Sequence, residues 1–345
     1  MKTSKILTLF TAGLMTFSAV ASETVPVHRP LIEEYTGTWC GWCVRGLVGM
    51  ELLGLTFGDE FIGVAIHEGD AMEVLPESQY PNYVYGFPTA FVERSTEVDP
   101  FYGIGYTSGG IVSDMRQFAA LPTIAGIDVT ALWADEDMTA INVDVNTWFT
   151  TDDENGHYAL EIMLIIDDIY GSGNGWNQSN YYSGNTSYAK DRYLGPWVQK
   201  PSSVSGIHFY DVLVGTSRVI SGSLPQSIVA YQDYNYKYTF TLSNLPKPSL
   251  IQNKDNLHVI AVVVDTSNGH AINANRCYID EFVNLTPGDV TGDGNITIED
   301  VTVLIDYLLA GDESTINVGN SDVDGDGKIS ISDVTELIDL LLRGE

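Results

Sequence analysis

The sequence predicts a multidomain protein in which an α/β domain is followed by an all-β sandwich and then by a small all-α module. Residues 24–121 alternate strand-like and helix-like patterns, as α/β units do. Residues 122–285 hold alternating or continuous apolar runs between clusters of Gly, Asn, Asp and Pro, which is typical of antiparallel strands in a sandwich. Residues 286–345 contain an internal repeat, and each copy ends in an amphipathic helix pattern.

The first residues of the chain indicate export. Lys2 and Lys5 precede an apolar run, and Ala19–Ala21 offers the small residues at which a signal peptidase cleaves. We therefore expect residues 1–21 to be a signal peptide. The apolar run is shorter than the roughly 18 residues that indicate a membrane span, so the mature chain is expected to have no transmembrane span. The expected location is extracellular, cell-surface or periplasmic.

The charge of the chain excludes one class of function. The formal net charge is −30, with 16 Lys and Arg against 46 Asp and Glu. A nucleic-acid-binding protein needs a basic face to neutralise phosphates, so we expect no nucleic-acid partner. Strong acidity instead suits a solvent-facing exported protein or a cation binder.

The three cysteines follow the predicted signal peptide and are Cys40, Cys43 and Cys277. An exported protein that depended on disulfides for its stability would carry more of them. Cys277 lies in a strand-like apolar segment and is expected to be a buried free thiol. Cys40 and Cys43 form a C-x-x-C pair between the strand-like segment LIEEYTG and the helix-like segment VRGLVGMELLGLTFG.

The residues around this pair leave three interpretations open. Structural zinc needs four ligands, and no second C-x-x-C pair is present. A structural disulfide would close a very short loop and would add little stability. A redox pair would place Cys40 at a helix N-terminus, where unpaired N–H groups and the helix dipole stabilise a thiolate, and would leave Cys43 more shielded as the resolving thiol.

At this point the chain resembles the thioredoxin superfamily. The segment YGFPTAFVER places Pro88 just before a strand and resembles the family's cis-proline loop, which lies against the disulfide and receives the substrate backbone. Glu34 lies six residues before Cys40, where thioredoxins carry a buried acid. The resemblance implies a redox-active Cys40–Cys43 disulfide, thiol or disulfide client proteins, and a proton shuttle at Glu34 whose pKa is raised by burial. Of the consecutive Glu33 and Glu34, one is expected to face outwards.

The β-rich part contains one irregular stretch, residues 170–201, that is rich in Gly, Asn and aromatic residues. Such a stretch is either a binding surface or a large irregular insertion. The motif EEYTGTWCGWC, followed by strands that carry FYDVLVGTS, resembles the Omp28-related outer-membrane proteins of Bacteroidetes over roughly residues 28–285. This resemblance implies an exported or surface-associated protein with a thioredoxin-like head.

The C-terminal repeat aligns PGDVTGDGNITIEDVTVLIDYLLAG with NSDVDGDGKISISDVTELIDLLLRG. Calcium takes six to eight oxygen ligands, and each repeat offers them at the spacing of a calcium loop, with a glycine at the sharp turn. The alternative, an acidic turn before a solvated helix, would leave carboxylates to repel one another. The predicted metal ligands are Asp289, Thr291, Asp293, Asn295 (backbone carbonyl), Thr297 and Asp300 in the first loop, and Asp322, Asp324, Asp326, Lys328 (backbone carbonyl), Ser330 and Asp333 in the second.

No helix pattern precedes either loop, so each repeat is a loop followed by a helix. This order resembles a type I dockerin module at residues 286–345. The resemblance implies a three-helix module that folds on two Ca²⁺ ions and docks onto a cohesin-bearing partner. Positions 10 and 11, which often shape partner choice in dockerins, are Ile298-Glu299 and Ile331-Ser332. Thr291 stands where Asn or Asp is more usual, so the first site is expected to be the weaker one.

These observations lead to two main functional hypotheses. The first is an exported, modular thiol–disulfide oxidoreductase that a calcium-dependent dockerin tethers to a cohesin. The second is a non-enzymatic surface binding or adhesion protein in which the cysteine pair is only a structural disulfide. A hydrolase brought to a scaffold by its dockerin has less support, because no catalytic carboxylate pair stands out.

Overall fold

The computed structural model describes residues 25–106, 110–282 and 286–343. The predicted signal peptide, residues 1–21, lies outside the described residues. The chain divides into two compact units, Met1–Ala131 with Ala140–Ile279, and Leu132–Thr139 with Asp280–Glu345. We call them the body and the C-terminal unit. No helix in the described part of the chain is both long and apolar enough to cross a membrane.

The secondary structure of the described residues is as follows. The strands are β1 (Leu31–Thr36), β2 (Ile62–His67), β3 (Thr89–Val92), β4 (Thr96–Val98), β5 (Ala125–Trp133), β6 (Ala140–Phe149), β7 (Tyr158–Ile166), β8 (Gln178–Ser179), β9 (Ser203–Val204), β10 (Val212–Ile220), β11 (Tyr234–Thr241), β12 (Leu257–Asp265) and β13 (His270–Asp280). The helices are α1 (Val44–Phe57), α2 (Gly110–Ala119), α3 (Gly195–Val198), α4 (Ile298–Ala310), α5 (Val318–Ser321) and α6 (Ile331–Arg343).

The N-terminal part of the body is a β-α-β unit followed by two antiparallel strands and a helix. β1 and β2 run parallel, with α1 as the crossover, while β3 runs antiparallel to β1 and β4 antiparallel to β3. Every residue of β1 and β2 is buried, as expected for parallel strands that are covered on both faces. Met50 and Leu53 of α1 pack against Ile32 of β1 and against Ile111 and Met115 of α2.

The β-rich segment continues this sheet, which differs from the predicted separate sandwich at 122–285. β10 pairs antiparallel with β7 and, through Val212 and Ala65, parallel with β2. The result is one sheet of eleven strands in the order β11-β6-β5-β13-β12-β7-β10-β2-β1-β3-β4. The physical reason is that the outer edge of β2 carries backbone N–H and C=O groups that need partners, and β10 supplies them. The hydrophobic pattern of a strand does not reveal which edge it joins.

The C-terminal unit forms its own small core. α4 and α6 enclose Val301, Leu304, Val334 and Leu337, which are equivalent positions of the two repeats, together with Val290. The next apolar pair of the repeat, Ile305 and Ile338, is 38% and 39% exposed. The helical nature predicted for this module is confirmed.

Candidate functional site

Cys40 and Cys43 form a disulfide in the turn between β1 and α1. This bond excludes the zinc interpretation for the oxidised chain, because zinc binds free thiolates. Cys43 is the N-cap residue of α1 and is completely buried, whereas Cys40 lies in the preceding turn and is 6% exposed. Cys43, and not Cys40, therefore stands at the helix N-terminus, which corrects the prediction. The turn, closed by the Cys43 N–H donating to the Cys40 carbonyl at 3.1 Å, separates Cys40 from the helix.

Both glutamates of β1 are buried, so the prediction that one of them faces outwards is wrong. The Glu33 carboxylate accepts hydrogen bonds from Nε and Nη2 of Arg94, the latter at 2.7 Å. Arg94 also donates to Glu161 at 2.7 Å, so the buried cation lies between two carboxylates. An ion pair with this geometry compensates the desolvation of the charges.

Within the described residues, no salt bridge to the Glu34 carboxyl group is found. A Cβ added to Gly46 would clash with Glu34 Oε1, so glycine is required where α1 crosses the acid. Gly46 lies three residues after Cys43 and therefore on the same face of α1, one turn further on. Glu34 Oε1 is buried without a hydrogen-bond partner.

The pKa of Glu34 is raised to about 8. Burial is the main cause, a hydrogen bond with Thr36 opposes it, the charges of Asp211 and Asp99 raise the pKa further, and Arg45 lowers it. Glu34 is consequently a neutral carboxylic acid at pH 7. It lies beneath the first turn of the helix that begins at the disulfide.

Pro88 lies immediately before β3, and the Phe87–Pro88 peptide bond is cis. The ring of Phe87 packs against Trp39, with the centroids 5.4 Å apart, and so the proline loop lies beside the residue that precedes Cys40. Trp39 is 49% exposed, and its Nε1 donates to the Glu68 carbonyl at 2.7 Å.

Residues 176–204, which we call the covering segment, reach the disulfide from the β-rich part of the chain. Gln178 Nε2 donates to the Cys40 carbonyl at 2.8 Å, and the Tyr181 N–H donates to the Gly41 carbonyl at 3.1 Å. Part of the irregular stretch predicted at 170–201 thus packs on the C-x-x-C turn. The sequence carried no signal for this contact.

Aromatic packing holds the covering segment in place. Trp42 meets the rings of Tyr181 and Tyr182 edge to face, each at a centroid distance of 5.5 Å. A Cβ on Gly41 would clash with the Tyr181 ring, which accounts for glycine between the cysteines. Tyr182 and Trp197 join Val44 of α1 in one apolar cluster.

A cavity of about 620 Å³ lies against α1 and β2 and is lined by Glu34, His67, Trp197, Asp211 and Arg276, among others. The pKa of Asp211 is raised to about 8, chiefly by burial and further by Asp167, while Arg276 opposes the shift. The sequence patterns did not single out Asp211. The available signal was an aspartate at the start of the apolar strand DVLVG.

Cys277 on β13 forms no disulfide and is half-buried, whereas the sequence predicted a buried thiol. The difference arises because β13 emerges from the core towards its C-terminal end, where residues 276–280 are half-buried or exposed.

The second calcium loop brings carboxylates together. Ligand atoms of Asp322, Asp324 and Asp333 all lie within 4.8 Å of one another. Asp322 Oδ1 is buried without a hydrogen-bond partner. Three hard oxygen donors, one of them unpartnered, fit a Ca²⁺ ion. In this loop Asp326 Oδ1 accepts from the Lys328 N–H at 2.8 Å, and Asp333 Oδ2 accepts from the Ser330 N–H at 2.7 Å.

The first loop is built in the same way with one carboxylate fewer. Thr291 Oγ1 donates to Asp300 Oδ1 at 2.9 Å, and Asp289 accepts from the backbone N–H groups of Asp293 and Gly294. Among the described residues, a cluster of three acidic ligands is found only in the second loop. Asn295 donates its N–H to Asp293 Oδ1 at 2.8 Å.

Each loop also caps the helix that follows it. Thr297 accepts from the Glu299 N–H, and Asp300 accepts from the Thr297 N–H, forming a capping box on α4. The first residues of the two helices, Ile298 and Ile331, are 72% and 70% exposed. Both repeats therefore present an exposed isoleucine at position 10 of the loop.

Comparison with known proteins identifies the C-terminal part. Residues 287–342 match the family model "Dockerin type I domain". Type I dockerin domains bind calcium and dock onto cohesins, so the match supports Ca²⁺ as a ligand and a cohesin as a partner. Dockerin proteins are typically extracellular or surface-associated. None of the curated proteins matches the sequence.

Three solved structures are similar to the chain at low identity. HBP35 of Porphyromonas gingivalis has a TM-score of 0.48 and 14% identity, with 77% of this chain and 81% of that chain covered. A domain of the outer membrane lipoprotein Omp28 from Porphyromonas gingivalis has a TM-score of 0.25 and 15% identity, with 47% and 92% covered. Protein AGR_C_4864 from Agrobacterium tumefaciens has a TM-score of 0.37 and 10% identity, with 76% and 99% covered. All three TM-scores lie below 0.5, so these similarities do not establish the fold of the body.

Proposed function

We propose that the body is a thioredoxin-like thiol–disulfide exchange module and that the dockerin tethers it, with calcium, to a cohesin-bearing protein outside the cytoplasm. The observation that carries the proposal is the pairing of the Cys40–Cys43 disulfide at the start of α1 with the buried, neutral Glu34 beneath it. The cis Phe87–Pro88 bond beside Trp39 agrees with this assignment.

The exchange uses groups of this chain and a client dithiol. A client thiolate attacks Cys40 Sγ, which is the more exposed sulfur; the Cys40–Cys43 bond breaks and Cys43 leaves as a thiolate. Glu34 gives its proton to Cys43, because a neutral acid at pH 7 is a ready donor. The second client thiol, as its thiolate, attacks the client sulfur of the mixed disulfide. Cys40 is released as a thiolate, the client gains a disulfide, and the two electrons remain on the Cys40–Cys43 pair.

In the C-terminal unit the chain's carboxylates and carbonyls are proposed to hold two Ca²⁺ ions, with the twelve ligands named from the sequence. Bound calcium supplies the positive charge that the acidic loops need. The exposed Ile298 and Ile331, with their neighbours Glu299 and Ser332, are proposed to contact the cohesin.

A second function is favoured by a different observation. The covering segment bonds to Cys40 and Gly41 and leaves Cys40 only 6% exposed, as a purely structural disulfide would be. The module would then be a non-enzymatic surface binding protein. Trp39, Trp42 and Tyr181, which are 49%, 39% and 60% exposed, would offer its aromatic contact surface.

The reduction potential of the Cys40–Cys43 pair and turnover in a dithiol refolding assay separate the two functions. We expect a potential in the range of exchange proteins, above about −300 mV. Turnover should be lost in Cys40→Ser and kept in the control Cys277→Ser. Tyr181→Ala should raise the rate, because it removes the ring that packs on Gly41 between the two cysteines. A potential well below −300 mV, with no turnover in wild type or in Tyr181→Ala, would establish the structural disulfide instead.

A further inference from the structure

We propose that Asp211 is a positioning residue for the exchange reaction, which sets the protonation of Glu34 through the cavity that both carboxyl groups line. This inference rests on the proposed function, because Glu34 is the proton donor there. It concerns a residue far from the cysteines in sequence, on a strand outside the β-α-β unit.

The sheet register places the two acids on either side of one alanine. Glu34 of β1 pairs with Ala65 of β2, and Ala65 pairs with Val212 of β10. The Ala65 N–H donates to the carbonyl of Asp211 at 2.7 Å, which fixes Asp211 at the start of β10. Strands in a sheet are about 4.8 Å apart, so the two acids lie roughly 10 Å apart across β2. The short side chain of Ala65 leaves the space between them open, and all three residues line the 620 Å³ cavity.

Hydrogen bonds hold the backbone of Asp211 in place, and the residue lines the cavity. Its φ of 56° lies in the left-handed region, which aspartate tolerates better than most residues. Its N–H donates to Asp167 Oδ1 at 2.8 Å. Within the described residues, no hydrogen bond to its side-chain oxygens is present, and the residue is only 9% exposed.

The charged groups around the pair are few. Glu34 faces Asp211, Asp99 and Arg45, and Arg45 is bound to Asp99 at 2.6 Å. Asp211 faces Asp167 and Arg276, and Arg276 also contacts the exposed Asp59 at 3.2 Å.

Two histidines stand close to the same groups. His258 lies 3.4 Å from Asp167, and burial lowers its pKa to about 4, so it is neutral at pH 7. His67 lines the cavity and is paired with Asp70 at 2.7 Å. A third histidine, His208, also lines the cavity and is paired with Asp168 at 2.6 Å.

Two buried carboxyl groups that line one cavity resist being ionised together. Their protons are then lost in two steps that belong to the pair, not to either residue. Both acids hold their protons at pH 7, and above that pH the charge of the acid that ionises first keeps the proton on the other.

The test is a titration of the side-chain carboxyl groups of the full calcium-loaded chain by carbon-13 NMR, with Glu34→Gln to assign the signals. In Asp211→Asn we expect one of two coupled steps to disappear. The Glu34 midpoint should fall by on the order of one pH unit, as the Coulomb energy at this separation implies. Asp211→Glu should restore both steps. Asp144→Asn, which removes an exposed acid paired with Lys237 at 3.6 Å, is the matched control and should change neither.

The pH profile of exchange with glutathione should shift with the Glu34 midpoint, which a merely structural role for Asp211 would not produce. A Glu34 midpoint that is the same in wild type and Asp211→Asn overturns the inference. A shifted midpoint with no exchange activity in wild type overturns the proposed function, and with it the part of Asp211 in exchange. If Asp211→Asn does not fold, Arg276→Gln replaces it. Loss of that cation should move the Asp211 step to higher pH, and an unmoved step would count against the inference.

Discussion

The body and the C-terminal unit differ in how the charge of their acidic side chains is compensated. In the body, Glu33 is paired with the Arg94 cation, while Glu34, its neighbour in sequence, is neutral because burial holds its proton. In the C-terminal unit, carboxylate oxygens of Asp322, Asp324 and Asp333 converge to within 4.8 Å of one another. A buried carboxyl group that keeps its proton can act as an acid, whereas a cluster of carboxylates needs a metal ion to neutralise its charge. The same side-chain chemistry thus fits the proton transfer proposed for one unit and the calcium binding proposed for the other.

Removal of calcium from the C-terminal unit should have the largest effect on the structure. With calcium chelated, the carboxylates of the two loops repel one another, and binding energy that is coupled to folding is lost. We expect the helical circular-dichroism signal of α4 and α6 to disappear while the β signal of the body stays. Double substitution of Asp322 and Asp333 by Ala should weaken one of two calcium sites in calorimetry. A spectrum that does not respond to chelator would refute the calcium assignment.

Removal of the Arg94 cation should be the next largest effect. Arg94→Met leaves Glu33 and Glu161 buried without a counter-charge, which typically costs about 3–5 kcal/mol. The free energy of unfolding of the body, from urea titration, measures this loss. Lys237→Met, which breaks the exposed pair with Asp144, is the control and should cost less than about 1 kcal/mol. Equal losses of unfolding free energy in the two variants would mean that burial does not determine how much these ion pairs stabilise the body.

The two units also differ in how much of them the sequence could predict. The predicted calcium ligands of each repeat fall within one short contiguous loop, so their spacing alone points to them, and the helix caps follow from Thr297 and Ser330. The disulfide site is assembled from distant segments: Arg94 lies 61 residues from Glu33, and Gln178 lies 138 residues from Cys40. Local patterns predicted the C-x-x-C turn, and the resemblance to thioredoxins pointed to Pro88 and Glu34. They could not predict that β10 would join β2, and so Asp211 and the covering segment were missed.

Loss of the Glu34 proton should make the stability of the body depend on pH. The folded-state pKa of Glu34 is about 8, above its value of 4.5 when exposed, so between these pH values the folded chain holds a proton that the unfolded chain has lost. Stability from this group is therefore complete below pH 4.5 and falls as the pH rises towards 8. Relative to Glu34→Gln, wild type should lose on the order of 3 kcal/mol between pH 5 and 8. Parallel stability curves for the two proteins would contradict the raised pKa.

The smallest effect concerns the difference between the two calcium loops. Thr291 occupies the position that Asp324 occupies in the second loop, and its hydroxyl donates to Asp300 at 2.9 Å and to Asp289 at 3.4 Å. Thr291→Asp adds a fourth carboxylate and should tighten the first site by about tenfold, which corresponds to ~1.4 kcal/mol. The reciprocal Asp324→Thr should weaken the second site to a similar degree, so calorimetry of the pair provides its own control. If both exchanges leave the two affinities unchanged, the count of carboxylates does not rank the sites, and the backbone carbonyls at Asn295 and Lys328 would have to account for calcium affinity.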